Sequence, residues 1–290
     1  MIEYTFFRGC MIPALQPFVE AAAIKVLEKF GIRLRELKDE TCCPVPEAPK
    51  ALDELSWYVM AARNLALAEK TGLNLMTICS GCFETLEETN EVLKENKVLR
   101  SAVNEKLAPL SLEFKGLMQV KNVIEVLYDE VGVKRISDAI TRKLDGIKVC
   151  LQVGCRLYKT EETKGLPQKF REIVKATGCK VIDYETDRMC CGFPTIYVDP
   201  NFGYMQRTKL KLDDMTSYSP DGIVVICPAC LNQFEMAQLD LKAKGYSYDL
   251  PCINLLELLA LSLGISSSSL GIQWHRIKPD QLLKKVEDGR

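Results

Sequence analysis

The sequence predicts an α/β protein of two lobes related by a pseudo-twofold, each with a small, mostly parallel sheet and a five-cysteine site at its edge. Three observations predict it. Ten of the 13 cysteines fall into two sets of the same order, short apolar strands alternate with amphipathic helices in the same way around each set, and 290 residues suffice for two such units. The first set is Cys10, Cys42, Cys43, Cys79 and Cys82, and the second is Cys155, Cys190, Cys191, Cys227 and Cys230. From the second member of each pair to the Cys-x-x-Cys is 36 positions in both halves, and from the lone cysteine to the pair it is 32 and 35. The expected division is residues 1–145 and 146–290, each one cysteine-rich lobe, with a charged, mostly helical connector at 91–145 and an amphipathic tail at the end.

The elements follow in order. "YTFFRGC" and "KVCLQVGC" read as apolar strands, each ending in Gly-Cys. The helix in "ALQPFVEAAAIKVLEKFG" places Leu15, Phe18, Val19, Ala22, Val26 and Phe30 at helical spacing and stops at Gly31. Its counterpart in "LPQKFREIVKATG" puts Phe170, Ile173 and Val174 on one face and stops at Gly178. A strand follows in each half, "IRLREL" or "KVIDY", leading to the paired cysteines. A second helix comes next, clearest in "SWYVMAARNLALAEKTG", where Ser56 is the expected N-cap and Trp57 and Tyr58 face the core. "LMTI" and "IVVI" are the strands before each Cys-x-x-Cys. Each half is thus strand, helix, strand, helix, strand, with every cysteine group just past the carboxyl end of a strand, the edge at which open α/β sheets bind ligands. "INLLELLALSLGI" reads as a buried or partner-facing helix.

Composition removes several function classes. The 38 basic and 39 acidic residues nearly cancel and no basic block tracks a phosphate backbone, which argues against nucleic acid. "MIEYTFFRGC" has no signal-peptide h-region, and the longest apolar stretch is too short for a bilayer and contains Glu257, so a cytoplasmic protein without a membrane span is expected. In that compartment the cysteines read as metal or redox groups rather than as disulfides. With His275 the only histidine, a Cys/His zinc site or a His-based dyad is hard to build; packing or the surface is its expected place. No G-x-G-x-x-G follows a strand, so this chain is expected to carry no flavin.

Zinc asks for four tetrahedral ligands, and a Cys-Cys dipeptide with a fifth thiol suits it poorly. A thioredoxin-like reading of "CPAC" at a helix start leaves the other repeated cysteines idle. Cys150, Cys179 and Cys252 lack counterparts and read as small buried hydrophobes. Iron–sulfur ligation by thiolates remains for the two sets, although the ferredoxin run is absent and five thiolates exceed the four that a cubane uses.

At this point the motifs show a resemblance. Cys10, Cys42-Cys43 and Cys79-x-x-Cys82, followed by Cys155, Cys190-Cys191-Gly192 and Cys227-Pro-x-Cys230, resemble the tandem CCG domains of the heterodisulfide reductase B subunit, over nearly the whole chain and including "AARNLALAE". The resemblance implies two noncubane 4Fe-4S clusters, one on each set of five cysteines, flanking a substrate pocket. It also implies electrons arriving from a flavin-containing partner through a ferredoxin-like partner of the same complex. Two departures stand out. Arg156 takes the place where the methanogen members carry His, and "CCGFPTIYVDP" replaces a more glycine-rich continuation. Arg156 suits contact with a substrate anion and not proton donation. The departures favour, slightly, the related proteins of sulfur oxidisers, which act on protein-bound sulfur such as persulfide on a lipoate-binding protein, over the CoM-S-S-CoB heterodisulfide. The other reading is an electron-transfer CCG subunit of another dehydrogenase complex.

Overall fold

The computed structural model describes residues 2–45, 48–158 and 165–288. Each repeat builds a four-stranded sheet. β1 (Ile2–Phe7), β2 (Ile32–Glu36), β3 (Leu75–Thr77) and β4 (Val120–Asn122) lie in the order β2-β1-β3-β4. β5 (Lys148–Gln152), β6 (Lys180–Ile182), β7 (Gly222–Val225) and β8 (Cys252–Asn254) lie in the order β6-β5-β7-β8. The pairings are parallel, with Thr5 opposite Leu75 in one sheet and Leu151 opposite Val224 in the other.

The expected three strands per half thus become four. β4 falls in the segment read as a helical connector, and β8 immediately precedes the Leu-rich helix. Both are three residues long, like β3 and β6, but neither stands before a repeated cysteine, the mark that picks out β3 and β6 in the sequence.

The helices form where their apolar faces and end signals agree. Pro17 opens the helix Pro17–Lys29 and Gly31, at φ +77°, closes it, with Phe18, Val19, Ala22, Val26 and Phe30 buried. Leu166–Ala176 buries Phe170, Ile173 and Val174. In Glu54–Glu69 the N-cap is Asp53 rather than Ser56: its carboxylate accepts from the Ser56 amide at 3.0 Å and from the Ser56 hydroxyl at 2.5 Å. Trp57 and Tyr58, one turn on, are buried as expected.

The chain divides into two compact units, residues 1–15 with 27–123 and residues 16–26 with 124–290. In the second unit the Gln16 side chain donates to the Pro228 carbonyl at 2.8 Å and Phe18 lies against the His275 ring at 4.4 Å. The tail docks on this same unit, burying Ile277, Leu282 and Val286 and pairing Lys285 with Asp221. The helix Leu255–Ser262 is wholly buried, Leu-rich apart from Glu257 and Ser262, and each of its leucines contributes about 1.5–3 kcal/mol of burial. Among the described residues no helix is long and apolar enough to cross a membrane.

Candidate functional site

In a sheet of order β2-β1-β3-β4 the connections leave in opposite directions from the two central strands, which opens a crevice beyond their carboxyl ends. The first cysteine set stands there: Cys10 follows β1, Cys42 and Cys43 follow β2, and Cys79 follows β3. The second set repeats the placement after β5, β6 and β7.

Two helices begin on the Cys-x-x-Cys motifs. Cys79 and Cys227 have extended backbones at the N-cap positions of Ser80–Glu95 and Pro228–Ala243, and the Cys82 amide donates to the Cys79 sulfur at 3.4 Å. Each N-terminus therefore turns its dipole and its orphan N–H groups toward the thiols.

The paired cysteines are held from below by polar side chains. Asn64 accepts from the Thr41 amide at 2.9 Å and donates to the Cys42 carbonyl at 3.3 Å. In the second unit Thr208 donates to the Cys191 carbonyl at 2.8 Å and accepts from Gln233 at 2.8 Å. Glycine is required at two points. A Cβ on Gly9, at φ +73°, would stand 2.9 Å from the Cys82 sulfur, and one on Gly192, at φ +98°, would stand 2.8 Å from the Gly203 carbonyl oxygen.

Within each unit the five thiols gather together, and neighbours meet in the same order both times. In the first, Cys10 meets Cys42 at 4.0 Å, Cys42 meets Cys43, Cys43 meets Cys82 at 3.2 Å, and Cys82 meets Cys79. In the second, Cys155 meets Cys190, Cys190 meets Cys191, Cys191 meets Cys230, and Cys230 meets Cys227. Cys10 lies open to solvent while Cys43, Cys79 and Cys82 are buried, so the first set runs from the surface inward.

Crowding decides the protonation of these groups. Hydrogen bonds from Cys155 and Cys191 pull Cys190 well below the usual thiol range, whereas the contact with Cys190, together with burial, drives Cys155 far up. Cys82 is raised by Cys43 and Cys79, and Cys230 by Cys191 and Cys227. Thiols this crowded resist losing more than one proton among them, because each new thiolate repels the next; five thiolates together require cations. A polynuclear iron–sulfur group supplies cations and takes thiolate ligands, so the donor set fits it.

The cysteine-rich CCG domain family matches residues 4–87 and again 149–235, each match taking in one complete set. The chain is 34% identical to the B subunit of the ferredoxin/F(420)H(2)-dependent CoB-CoM heterodisulfide reductase of Methanosarcina acetivorans, over 99% of this chain and 97% of that protein. The chain belongs to the family of heterodisulfide reductase B subunits. It is also 28% identical to the 8-methylmenaquinol:fumarate reductase membrane anchor subunit of Wolinella succinogenes, over 97% of this chain and 99% of that one. A crystal structure of a hypothetical protein from Helicobacter pylori shares the fold at a TM-score of 0.77 and 17% identity, covering 95% of this chain and 52% of its own length.

For a member of this family the remaining side chains near the second set are informative. Arg156 is buried in the turn Cys155–Tyr158. A cavity of about 490 Å³ opens at the carboxyl edge of β5 and β6, lined by Tyr158, Gln168, Arg171, Tyr184, Asp187 and Arg188 among others, with Arg156 not in its wall. Arg188 lies over the Tyr158 ring at 5.6 Å. Lys211 is fully buried and donates to the Thr186 carbonyl; burial pushes it down to about 8 against the pull of Cys230 and Cys191.

His275 takes neither the surface nor plain packing. Its ring is clamped between Glu235 at 2.8 Å and Glu257 at 2.9 Å, all three buried. Burial pushes it down, but Glu257 and Glu235 more than offset this and raise it to about 10, so it carries a proton at neutral pH. Sequence reasoning passed over Lys211 and the clamp because neither carries a motif. The one available signal was that Lys211 stands as far before Cys227 as Arg63 does before Cys79.

Proposed function

We propose that this chain is the sulfur-chemistry subunit of a cytoplasmic heterodisulfide reductase-type complex. Each half, 1–145 and 146–290, holds one noncubane 4Fe-4S cluster on its five cysteines: Cys10, Cys42, Cys43, Cys79 and Cys82 in one, Cys155, Cys190, Cys191, Cys227 and Cys230 in the other. The observation that carries this reading is the gathering of five thiols, meeting in the same order in two units that share a topology. A single four-ligand site leaves one thiol over in each unit; a cluster with an unusual fifth thiolate uses all ten.

Opening a disulfide to two thiols takes two electrons and two protons. The two bound clusters would supply one electron each. A ferredoxin-like partner and a flavin-containing partner in the same complex are the proposed source of those electrons, and no flavin is assigned to this chain. The chain's own residues shape and orient. The N-termini of Ser80–Glu95 and Pro228–Ala243 favour the thiolate form at Cys79 and Cys227, Asn64 and Thr208 fix the paired cysteines, and Arg156 is the proposed contact for an anionic end of the substrate. Of the two substrate classes we favour protein-bound sulfur, as on a lipoate-binding protein, over a free heterodisulfide; oxidising it would send electrons out to the same partners, the reverse of the disulfide step. Arg156 supplies charge without a transferable proton, and the rings of Phe193 and Tyr197, packed edge-on at 5.5 Å, fill the continuation after Gly192.

A second reading is favoured by one observation, the full-length similarity to a component of a fumarate reductase: the clusters relay electrons and the chemistry happens elsewhere in the complex. One experiment separates these outcomes. Iron and acid-labile sulfide are measured on the complex purified anaerobically, and EPR is recorded before and after adding a disulfide or persulfide substrate. About eight of each per chain, with spectra that change on substrate addition, are expected. Unchanged spectra select the relay. Zinc without sulfide overturns both readings.

A further inference from the structure

The two cysteine sets share their ligands, their topology and their order of contacts, but not their electrostatic surroundings. The clearest difference is a buried ammonium, that of Lys211, which is not ion-paired to any described carboxylate. Lys211 lies on the helix Lys209–Ser217, 0% exposed, on the face that carries Thr208 one turn earlier in the chain. Thr208 holds the Cys191 carbonyl. The Lys211 ammonium donates to the Thr186 carbonyl and sits 5.1 Å from the Tyr184 ring, beneath the segment that leads to Cys190 and Cys191, and its charge acts on Cys191 and Cys230.

Among the described residues no carboxylate forms an ion pair with it. Asp187 and Asp214 act on it only at longer range, and Asp214 is occupied by the Thr186 amide and hydroxyl at 2.7 and 2.8 Å. Glu235 and Glu257 are taken up by His275, with Arg276 at 3.6 Å from Glu235. Arg207 adds a further positive influence on Cys190. A wholly buried ammonium without a carboxylate is costly unless another anion meets it. Five thiolates and the group they hold are such an anion.

The first unit has the corresponding cation in another place. Arg63 stands at the matching position before its Cys-x-x-Cys, but it is half-buried and spends its guanidinium on the Asp39 carbonyl at 2.8 Å and the Thr41 hydroxyl at 3.5 Å. Arg8, two residues before Cys10, is engaged by Glu36 at 2.9 Å and Glu40 at 3.1 Å. The cations near the first set are thus matched by acids or turned to the surface.

We propose that Lys211 makes the two iron–sulfur groups unequal, its charge holding the group on the Cys155 set at the more positive reduction potential, so that the first electron to enter the chain settles there. This rests on the iron–sulfur reading of the two sets and adds a direction to it. The physical basis is that net charge and burial set such potentials, and a cation in a low-dielectric interior favours the reduced, more negative form. Lys211 acts here as a tuning residue that touches no substrate.

The test is an EPR-monitored redox titration of the anaerobically purified complex carrying wild-type, K211M, K211R or R63M chain, with signals assigned through Cys82→Ser and Cys230→Ser variants. Two separated steps are expected for wild type, the upper belonging to the second set. In K211M the upper step moves down toward the lower one, while K211R and R63M titrate like wild type. Should K211M fail to assemble, K211Q, which keeps a donor for the Thr186 carbonyl without the charge, carries the same expectation. An unshifted upper step in the neutral variant, or an equal shift of the lower step in R63M, overturns the proposal. Loss of iron from both neutral variants but not from K211R also overturns it, in favour of a purely structural lysine. Wild type without iron and sulfide would instead remove the reading on which this rests.

Discussion

Cysteine stands in two settings in this protein, and its neighbours define them. The ten repeated thiols touch one another beyond strand ends, whereas Cys150, in the middle of β5, and Cys179, just before β6, are raised to about 12 and about 11, in each case chiefly by burial. A thiol whose burial outweighs any nearby charge stays protonated and behaves as a small apolar side chain. Changing Cys43 to Ala is therefore expected to remove the iron of one set, so that iron per chain falls by about half. Cys150→Ala is expected to leave the iron content unchanged and to cost about 1 kcal/mol through the small cavity it opens. Iron analysis and chemical denaturation of the two variants side by side check both statements; loss of iron from the Cys150 variant would contradict the division. That division was legible in the sequence, since only the ten recur at matched offsets. What side-chain arithmetic could not give is the pairing order, because Cys43 meets Cys82 across 39 residues that the fold alone brings back.

Loops and helix starts, rather than strands, aim the thiols. After Cys191 the backbone turns through Gly192, where a positive φ and the closeness of the Gly203 carbonyl and the Arg207 side chain leave no room for a Cβ. Gly192→Ala is expected to destabilise the protein by about 1–3 kcal/mol and to weaken iron retention by the second set, while Gly245→Ala, at φ +87° with open space around it, costs backbone strain alone and leaves the iron in place. Denaturation midpoints with iron content on both variants distinguish the two effects. The elements that sequence reasoning missed share one cause. β4 and β8 each end in Asn and run straight into a helical turn, "NVIEVL" and "NLLELL", but Asn122 and Asn254 are not separated by the offset that relates Cys79 to Cys227. A search at one fixed offset passes over them. The expected cap at Ser56 failed for a different reason: Asp53 offers a carboxylate one turn earlier, and a charged acceptor at a helix N-terminus holds the amide more strongly than a hydroxyl.

At the scale of the molecule, His275 fastens the tail to the body. The clamp joins the helix Pro228–Ala243, which starts on the Cys-x-x-Cys, to the helix Leu255–Ser262, whose Asn254–Glu257 capping box uses the second Glu257 oxygen. Because the folded state raises His275 from 6.5 to about 10, its contribution is fully present below pH 6.5 and is lost as pH rises toward 10. Chemical denaturation of wild type and His275→Gln from about pH 6 to pH 10 is expected to show a gap of about 3–5 kcal/mol at the acid end that narrows steadily with pH. A gap that is constant or widens would mean the ring is neutral in the folded protein.

The sequence by itself determined the class of chemistry and its duplication. Repeated thiols at repeated offsets, each past an apolar strand and before a helix, follow from local rules of periodicity and punctuation, and those rules act over distances that a linear reading covers. The tertiary structure alone decided which thiol touches which, that a fourth strand completes each sheet, that the tail folds onto the second unit, and that Lys211 is buried without a carboxylate while Arg63 reaches the surface. The physical reason is that burial and charge are properties of everything packed around a residue. Two cations at equivalent places in a repeat acquire different roles only when the rest of the chain has closed over one of them.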